Sequence, residues 1–208
     1  REMNKRYESN DFLILTLTDN EKSIFSDDTL NFIDQISNDI AKYDIVSSVT
    51  SITNIPLVTS SKKPLTELIN DIPTILDEDI ENELARKEII SSPIYRDLII
   101  SRDEKTTAMQ VILHKNTLLE SAYLEKEFLY EKLKEDKSFE EKYLLSKAKY
   151  EEINSLEKRK IDEFIKNLRQ IQSNYTTERY DIRLGGIPMI SSDMISFIKS
   201  DLVNFGSG

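Results

Sequence analysis

The fold of this chain is decided by residues 12–56, FLILTLTDNEKSIFSDDTLNFIDQISNDIAKYDIVSSVTSITNIP. The run at 12–18 is short, apolar and rich in β-branched residues, and it predicts a strand buried on both faces. Residues 26–28 offer a Ser N-cap followed by two acids, and the apolar residues after them recur at helical spacing as far as Tyr43. Residues 45–53 predict a second strand, and the short connection favours two neighbouring parallel strands.

Weaker patterns continue this alternation of strands and helices towards the C-terminus. Prolines interrupt residues 54–92, which we interpret as an insertion that carries one acidic helix at 77–90. Residues 106–114 predict a third strand, and residues 179–184 predict a half-exposed fourth strand. A last helix is predicted to start at residues 191–192. Its inward-facing residues are predicted to be Met194, Phe197, Ile198 and Leu202.

Residues 115–173 have a composition of their own. Of these 59 residues 26 are charged, 13 of each sign, and none is Gly or Pro. This is typical of long solvent-exposed helices with i,i+4 ion pairs. The pattern predicts a helix at 117–135 and, after a capping box at 138–141, a second helix of about 35 residues. The predicted apolar face of the first helix consists of Leu118, Ala122, Leu129 and Leu133.

The turn between these two helices is short, so they are predicted to form an antiparallel hairpin. At 1.5 Å per residue the longer helix reaches about 50 Å, which exceeds what a compact domain of this size needs. We therefore expect part of the hairpin to protrude or to pack against another protein.

These elements together predict an α+β fold in two parts. Residues 1–114 and 174–208 form an α/β domain that includes the 54–92 insertion, and residues 115–173 form the charged hairpin. Without the insertion and the hairpin, the order of elements corresponds to a ferredoxin-like, split βαβ domain.

The charge of the chain excludes one class of partner. The 208 residues include 38 acidic and 28 basic side chains, a formal net charge of -10. Nucleic acid binding rests on clustered Lys and Arg, and no such cluster exists here. Residues 1–114 carry -9 of this charge, from 21 acidic and 12 basic residues. The acidity therefore belongs to the α/β domain rather than to the hairpin.

Cysteine content and hydropathy exclude further classes of protein and of site. The chain has no Cys, which excludes a disulfide framework, a zinc ribbon and a thiol nucleophile. Its longest apolar runs, such as 12–15 and 98–100, are far too short to cross a bilayer, so we expect the chain as given to be soluble. The start at Arg1 and the end at 206–208, Gly-Ser-Gly, suggest a fragment of a longer protein.

Three sets of residues are candidates for chemistry. His114 is the only imidazole and is followed by Lys115, so we interpret it as a structural or surface residue rather than a catalytic one. The Gly185-Gly186 pair lacks the context of a nucleotide-binding loop, and we interpret it as a turn at the end of a strand. The densest acid run lacks the Gly and the spacing of a calcium or magnesium loop and is interpreted as a solvated helix start. Its residues are Asp77, Glu78, Asp79, Glu81 and Glu83. No catalytic, cofactor-binding or metal residue is predicted, no cofactor is expected, and no substrate-binding residue can be named.

Aromatic residues are concentrated in the hairpin. Two interpretations stay open: they pack between the two helices and against the sheet, or they form a surface where a partner subunit or an apolar ligand docks. The set comprises Tyr123, Phe128, Tyr130, Phe139, Tyr143 and Tyr150.

Three runs of the sequence resemble one transporter family. Residues 45–56, IVSSVTSITNIP, resemble the "V.SV.SLTN.P" run of the first extracytoplasmic loop of resistance-nodulation-division (RND) superfamily transporters, in the lipid-exporter-like MMPL branch. Residues 92–107 resemble the next run of that loop, although Glu104 stands where the pattern commonly has Gly. Residues 186–202 resemble the run that leads into the second transmembrane helix, and the three runs follow the family's order.

The resemblance implies a non-enzymatic, periplasmic porter domain of a proton-driven exporter in the bacterial inner membrane, acting on apolar or lipid-like molecules. It implies as partners the transmembrane helices and the second porter domain of the same transporter. The proton-relay carboxylates of such transporters lie in transmembrane helices, so they match no residue here. The hairpin agrees with the family only as a charged helical insertion. It would reach towards the second porter domain, a second protomer or a periplasmic partner.

Two other classes of function remain open at this point. The chain could be a soluble interaction or scaffold protein that uses the hairpin as its binding arm. It could also be an acidic hydrolase or metal-dependent enzyme built on His114 or the acids at 77–83, the least favoured of the three. The substrate and the oligomeric state are beyond the sequence.

Overall fold

A computed structural model of the chain describes residues 12–61, 72–96 and 99–186. The architecture is mixed α+β, with a four-stranded antiparallel sheet and one very long helix. The elements in chain order are β1 Phe12–Asp19, α1 Asp27–Ala41, β2 Val46–Thr50, α2 Asn82–Ser91, β3 Thr106–Leu113, α3 Thr117–Glu135, a 3-10 turn Lys137–Phe139, α4 Glu140–Tyr175 and β4 Tyr180–Gly186.

The strands lie in the order β2-β3-β1-β4, and every neighbouring pair is antiparallel. In β1, Leu15 faces Met109 of β3 on one side and Leu184 of β4 on the other. The expectation that β1 and β2 are neighbours is wrong, because β3 pairs with both and lies between them. A short connection limits the separation of two strands, and a gap of one strand is within that limit.

Side chains of β1 alternate strictly between two environments. Leu13, Leu15 and Leu17 have no exposed surface, whereas Phe12 and the other intervening residues are half-buried. The strand was predicted to be buried on both faces, and this is wrong: only one face is fully covered. The period of two is what an antiparallel sheet with one covered face requires.

Helix α1 supplies the second layer of the core. The predicted N-cap position at Ser26 and the apolar stripe are confirmed, since four apolar side chains of the stripe are buried. The Ser26 hydroxyl donates to the Thr29 hydroxyl at 2.9 Å instead of accepting from a backbone N–H. The buried apolar residues of the stripe are Leu30, Ile33, Ile36 and Ile40.

The acidic insertion helix is shorter than predicted. It begins at Asn82 rather than at Asp77, because the Asp77 carboxylate accepts from the backbone N–H of Thr74 at 2.5 Å and closes a turn there. Asp is well suited to such local turns. The buried side chains of α2 are Ala85 and Ile89.

Helices α3 and α4 have almost the predicted lengths. Helix α3 has the predicted bounds and 19 residues, and α4 has 36. The capping box predicted at Ser138 is wrong: the Asp136 carboxylate accepts from the backbone N–H and the hydroxyl of Ser138, both at 2.8 Å. Leu118, predicted to face inward, is exposed. Within the described residues, no helix is both long enough and apolar enough to span a membrane.

The described chain divides into two compact units. One consists of residues 114–166, called the arm below, and the other of residues 12–113 and 167–186, called the sheet unit. In the sheet unit, the end of α4 is anchored by Gln172, whose amide donates to the backbone oxygen of Ile182 at 2.8 Å.

Two predictions at the C-terminal end have different outcomes. Gly185 and Gly186 were predicted to form a turn, and this is wrong: they continue β4 and pair with Ile14 and Leu13. The predicted last helix, with the start at 191–192, lies outside the described residues.

Candidate functional site

An open groove of about 670 Å³ runs along α2 in the sheet unit. We call it the α2 groove. Loop residues 59–60, one side of α2 and the turn at Glu104 contribute to its walls. Its charged lining residues are Arg86, Lys87, Glu88, Arg96 and Glu104.

Glu88 is held by a cradle of donors from loop 58–60. Its carboxylate accepts from the backbone N–H groups of Val58 at 2.7 Å, Thr59 at 3.0 Å and Ser60 at 2.7 Å. The Ser60 hydroxyl donates to it as well, at 2.6 Å. Burial alone would raise the pKa of Glu88, but these hydrogen bonds outweigh it and lower the pKa to about 2. The carboxylate is therefore ionised, and both of its oxygens already accept hydrogen bonds from loop 58–60.

The second carboxylate of the groove, that of Glu104, forms an ion pair with Arg86. Arg86 donates from Nε to Oε2 of Glu104 and from Nη2 to Oε1, both at 2.7 Å. This forked geometry is the strong form of the Arg–carboxylate pair, and Glu104 is the main cause that raises the pKa of Arg86. Glu104 has φ 55 and is the one non-glycine residue with positive φ in the described part of the chain.

These contacts fix α2 against the sheet unit at several points. Besides the Glu88 cradle and the Arg86–Glu104 pair, the Asn82 amide donates to Asp27 of α1 at 2.7 Å. Ala85 and Ile89 are fully buried on the same helix. The α2 groove is thus a surface feature lined by charged residues, and its two carboxylates serve structure.

A second polar cluster joins the start of β4 to the end of β1. Asp19 has no exposed surface, and its carboxylate accepts from Arg179 Nη2 at 2.8 Å and from the Thr29 hydroxyl at 2.6 Å. Backbone N–H groups of Glu21 and Lys22 donate to it at 2.9 Å each. Burial raises the pKa of Asp19, and these donors together lower it well below its usual range. Every oxygen of this buried charge has a partner, as a buried ion requires.

No family model, no curated protein and no solved structure matches this chain.

The candidate residues identified in the sequence do not come together in the structure. His114 is exposed just after β3, and the acids from Asp77 to Glu83 are exposed in the turn before α2 and in its first residues. Among residues 12–61, 72–96 and 99–186, no three His, Cys, Asp or Glu side chains are grouped as a metal site would need. Gly185 and Gly186 lie within β4.

The aromatic residues of the arm divide between the two interpretations. Tyr123 pairs with Tyr150 at 5.9 Å between ring centroids, and Tyr130 pairs with Tyr143 at 5.5 Å. These four rings pack between α3 and α4. Phe128 is exposed. The sixth member, Phe139, is half-buried beside the turn.

Sequence reasoning missed the residues that define the α2 groove. Glu88 and its donors are 28 to 30 residues apart in the chain, so no local pattern links them. Glu104 did carry a signal, because it stands at a position where the resembling family commonly has Gly. Gly adopts the left-handed backbone found at Glu104 more readily than other residues do.

Proposed function

We propose that this chain is the extracytoplasmic domain of a proton-driven, RND-type membrane exporter of apolar or lipid-like molecules, without enzymatic activity of its own. The domain would adopt a ferredoxin-like split βαβ plan, since the strand order β2-β3-β1-β4 with all pairs antiparallel has that form. It would lie on the periplasmic face of the inner membrane. Its partners would be the transmembrane helices and the second porter domain of the same transporter.

One observation carries this proposal: Leu13 near the start of β1 is paired with Gly186 at the end of β4. The chain thus enters and leaves the sheet at the same place. A domain with this geometry can be inserted between two adjacent membrane-spanning helices without separating them. The arm then lies within the sequence of the inserted domain, between β3 and β4.

The resemblance of the sequence supports the same proposal from another direction. Of the three runs, 45–56 contains β2 and 92–107 contains Arg96 and Glu104 of the α2 groove. The position in the second run that departs from the family, Glu104, has the backbone conformation that a Gly would favour. Most of the third run, 186–202, lies outside the described residues.

The experiment is a topology and transport test on the parent gene. We expect an apolar stretch of about 20 residues on each side of the coding region for this chain. Alkaline phosphatase fused after Gly186 should be active, and green fluorescent protein fused there should be dark, because that position would lie outside the cytoplasm. Cells without the gene should accumulate an apolar dye that cells with the gene export. A parent gene with no flanking apolar stretch would contradict the proposal.

A second candidate function is a soluble interaction protein whose binding element is the arm. The observation in its favour is the number of exposed large apolar side chains on α3 and α4, among them Leu118, Phe128 and Leu145. This candidate predicts a complete gene of about this length with no membrane segment. It also predicts that association is lost when the arm is replaced by a short turn.

A further inference from the structure

We infer that one flank of the arm binds the same flank of a second copy of this chain, with the two arms side by side and pointing in the same direction. The inference rests on the geometry of the arm and is independent of the proposed function. It can hold in a transporter and in a soluble protein alike.

The register of the two arm helices is fixed by contacts along their length. Asn116 donates to Glu157 at 2.6 Å, and Lys149 donates to Glu125 at 2.9 Å. With the Tyr123–Tyr150 and Tyr130–Tyr143 pairs, they place residues equally distant from the turn at the same level. The Glu125–Lys149 salt bridge is exposed and spans from α3 to α4 along one flank.

Four large apolar side chains lie on that flank. Leu118 stands seven residues before Glu125, and Leu156 stands seven residues after Lys149, so each is about two turns away on the same side of its helix. Phe128 and Leu145 are three and four residues from the salt bridge in the direction of the turn. These side chains are exposed by 72% for Leu118, 46% for Leu156, 61% for Phe128 and 66% for Leu145.

Between Leu118 and Phe128 on α3, and between Leu145 and Leu156 on α4, the flank is complementary to itself. Because of the register, Leu118 is level with Leu156, Glu125 with Lys149, and Phe128 with Leu145. A two-fold axis parallel to the arm places α3 of one copy over α4 of the other without changing these levels. Leu118 then meets Leu156 of the second copy, and Phe128 meets Leu145.

Charge complementarity favours this arrangement, and it favours a second copy of this chain as the partner. In it, Glu125 of each copy faces Lys149 of the other, so the two salt bridges combine into a ring of four alternating charges. The opposite arrangement, with arms pointing in opposite directions, would bring α3 over α3 and Glu125 towards its own equivalent. In the arrangement that we infer, every helix is antiparallel to its neighbours, which is the usual form of a four-helix bundle. The arm suits a second copy electrostatically, because its acidic and basic residues nearly balance while the whole chain carries -10.

Adjacent leucines provide a matched pair of variants for the test. Leu145 lies on the flank, whereas Leu144 is exposed by 55% and points about 100° away from it. The oligomeric state of the full chain is measured by sedimentation velocity over a wide concentration range. We expect a monomer–dimer equilibrium in which Leu145→Glu or Leu118→Glu raises the dissociation constant by about tenfold or more. Leu144→Glu should leave it unchanged.

Charge reversal tests the role of the salt bridge. Glu125→Lys and Lys149→Glu each place like charges within and between the copies, so each should weaken the dimer. The double variant Glu125→Lys with Lys149→Glu restores both sets of pairs and should restore the dimer. Circular dichroism verifies that all these surface variants stay folded.

Disulfide formation tests the arrangement itself, since the chain has no Cys. A mixture of Leu118→Cys and Leu156→Cys proteins should yield a covalent dimer under oxidation, and Leu118→Cys alone should not. Three results would overturn the inference: a wild-type monomer at every concentration, equal effects of Leu144→Glu and Leu145→Glu, or a cross-link with Leu118→Cys alone.

Discussion

Arg86 of α2 donates to both carboxylate oxygens of Glu104. Among the described residues, Glu104 is the one non-glycine residue with a left-handed backbone. The backbone of Glu104 also closes the turn before β3, since its N–H donates to Ser101 O and its oxygen accepts from Ile24 N–H, both at 3.0 Å. A left-handed backbone costs a side-chain-bearing residue about 1 kcal/mol relative to Gly. The ion pair with Arg86 offsets that cost and connects the turn to the insertion helix.

Glu104→Gly should therefore change stability in a way that depends on Arg86. In the wild type the relief of backbone strain and the loss of the ion pair, each about 1 kcal/mol, nearly cancel. In an Arg86→Gln background the pair is already lost, and Glu104→Gly should stabilise by about 1 kcal/mol. Urea unfolding of the double-mutant cycle measures both values. Glu104→Ala is the control, because it loses the pair and keeps the strain; equal effects of Gly and Ala would contradict the account.

Glu88 should make the protein sensitive to acid. The pKa of Glu88 is about 2 in the folded chain and near 4.3 in an unfolded chain. Its contribution to stability is thus complete above about pH 4.3 and is lost as the pH falls through about 2. Glu88→Gln should destabilise by about 1–3 kcal/mol at pH 7, and the difference from wild type should shrink between about pH 4.3 and pH 2.

The measurement is urea unfolding of both proteins at several pH values in that window. Glu83→Gln, on the exposed side of the same helix, is the matched control and should change stability little at any pH. A difference between wild type and Glu88→Gln that stays constant as the pH falls would refute the role of the ionised carboxylate.

Features of this fold that depend on local sequence were predictable, and those that depend on long-range contacts were not. The bounds of α3 and the stripe of α1 were predictable, because helical period and capping residues are local signals. The α+β class is confirmed for the same reason. The position of β3 between β1 and β2 was not predictable from the short connection after β1, because strand order is decided by pairing across the sheet.

The polar clusters show the same limit more sharply. Asp19 follows a typical strand and resembles any turn residue in the sequence, yet its main partner, Arg179, is 160 residues away. Only Glu104 could be noticed in advance, because it departs from a Gly pattern. The Asp136 cap was missed for a local reason: Asp136 and Ser138 are both good capping residues, and sequence alone does not decide between them.

Asp19→Asn should reveal how much the buried ion pair contributes. The amide cannot accept all the donors around this fully buried position, so we expect a loss of about 2–3 kcal/mol in the free energy of unfolding. Asp181→Asn is the matched control, since Asp181 forms an exposed pair with Arg183 in the same region of the sheet; its effect should be within about 0.5 kcal/mol. Thermal and urea unfolding measure both, and equal losses would show that burial of Asp19 is not the cause.

The two glycines at the end of β4 make the last prediction. Gly186 has φ 130, and a Cβ added to it would stand 2.9 Å from the backbone oxygen of Phe12 and 3.1 Å from Cα of Leu13. Both obstacles are backbone atoms of β1, so they cannot rotate away as a side chain would. Gly186→Ala should therefore cost about 2 kcal/mol or more, from the combination of strained backbone and close approach. At Gly185 an added Cβ meets nothing within 4 Å, and Gly185→Ala should be nearly neutral. Urea unfolding distinguishes the two.

Hydrogen exchange at the N–H groups of β1 that pair with β4 should rise only in Gly186→Ala, because the strain separates these two strands at the end where the chain enters and leaves the sheet. Equal effects of the two substitutions would mean that β4 ends before Gly186, and the pairing that supports an inserted domain would be lost with it.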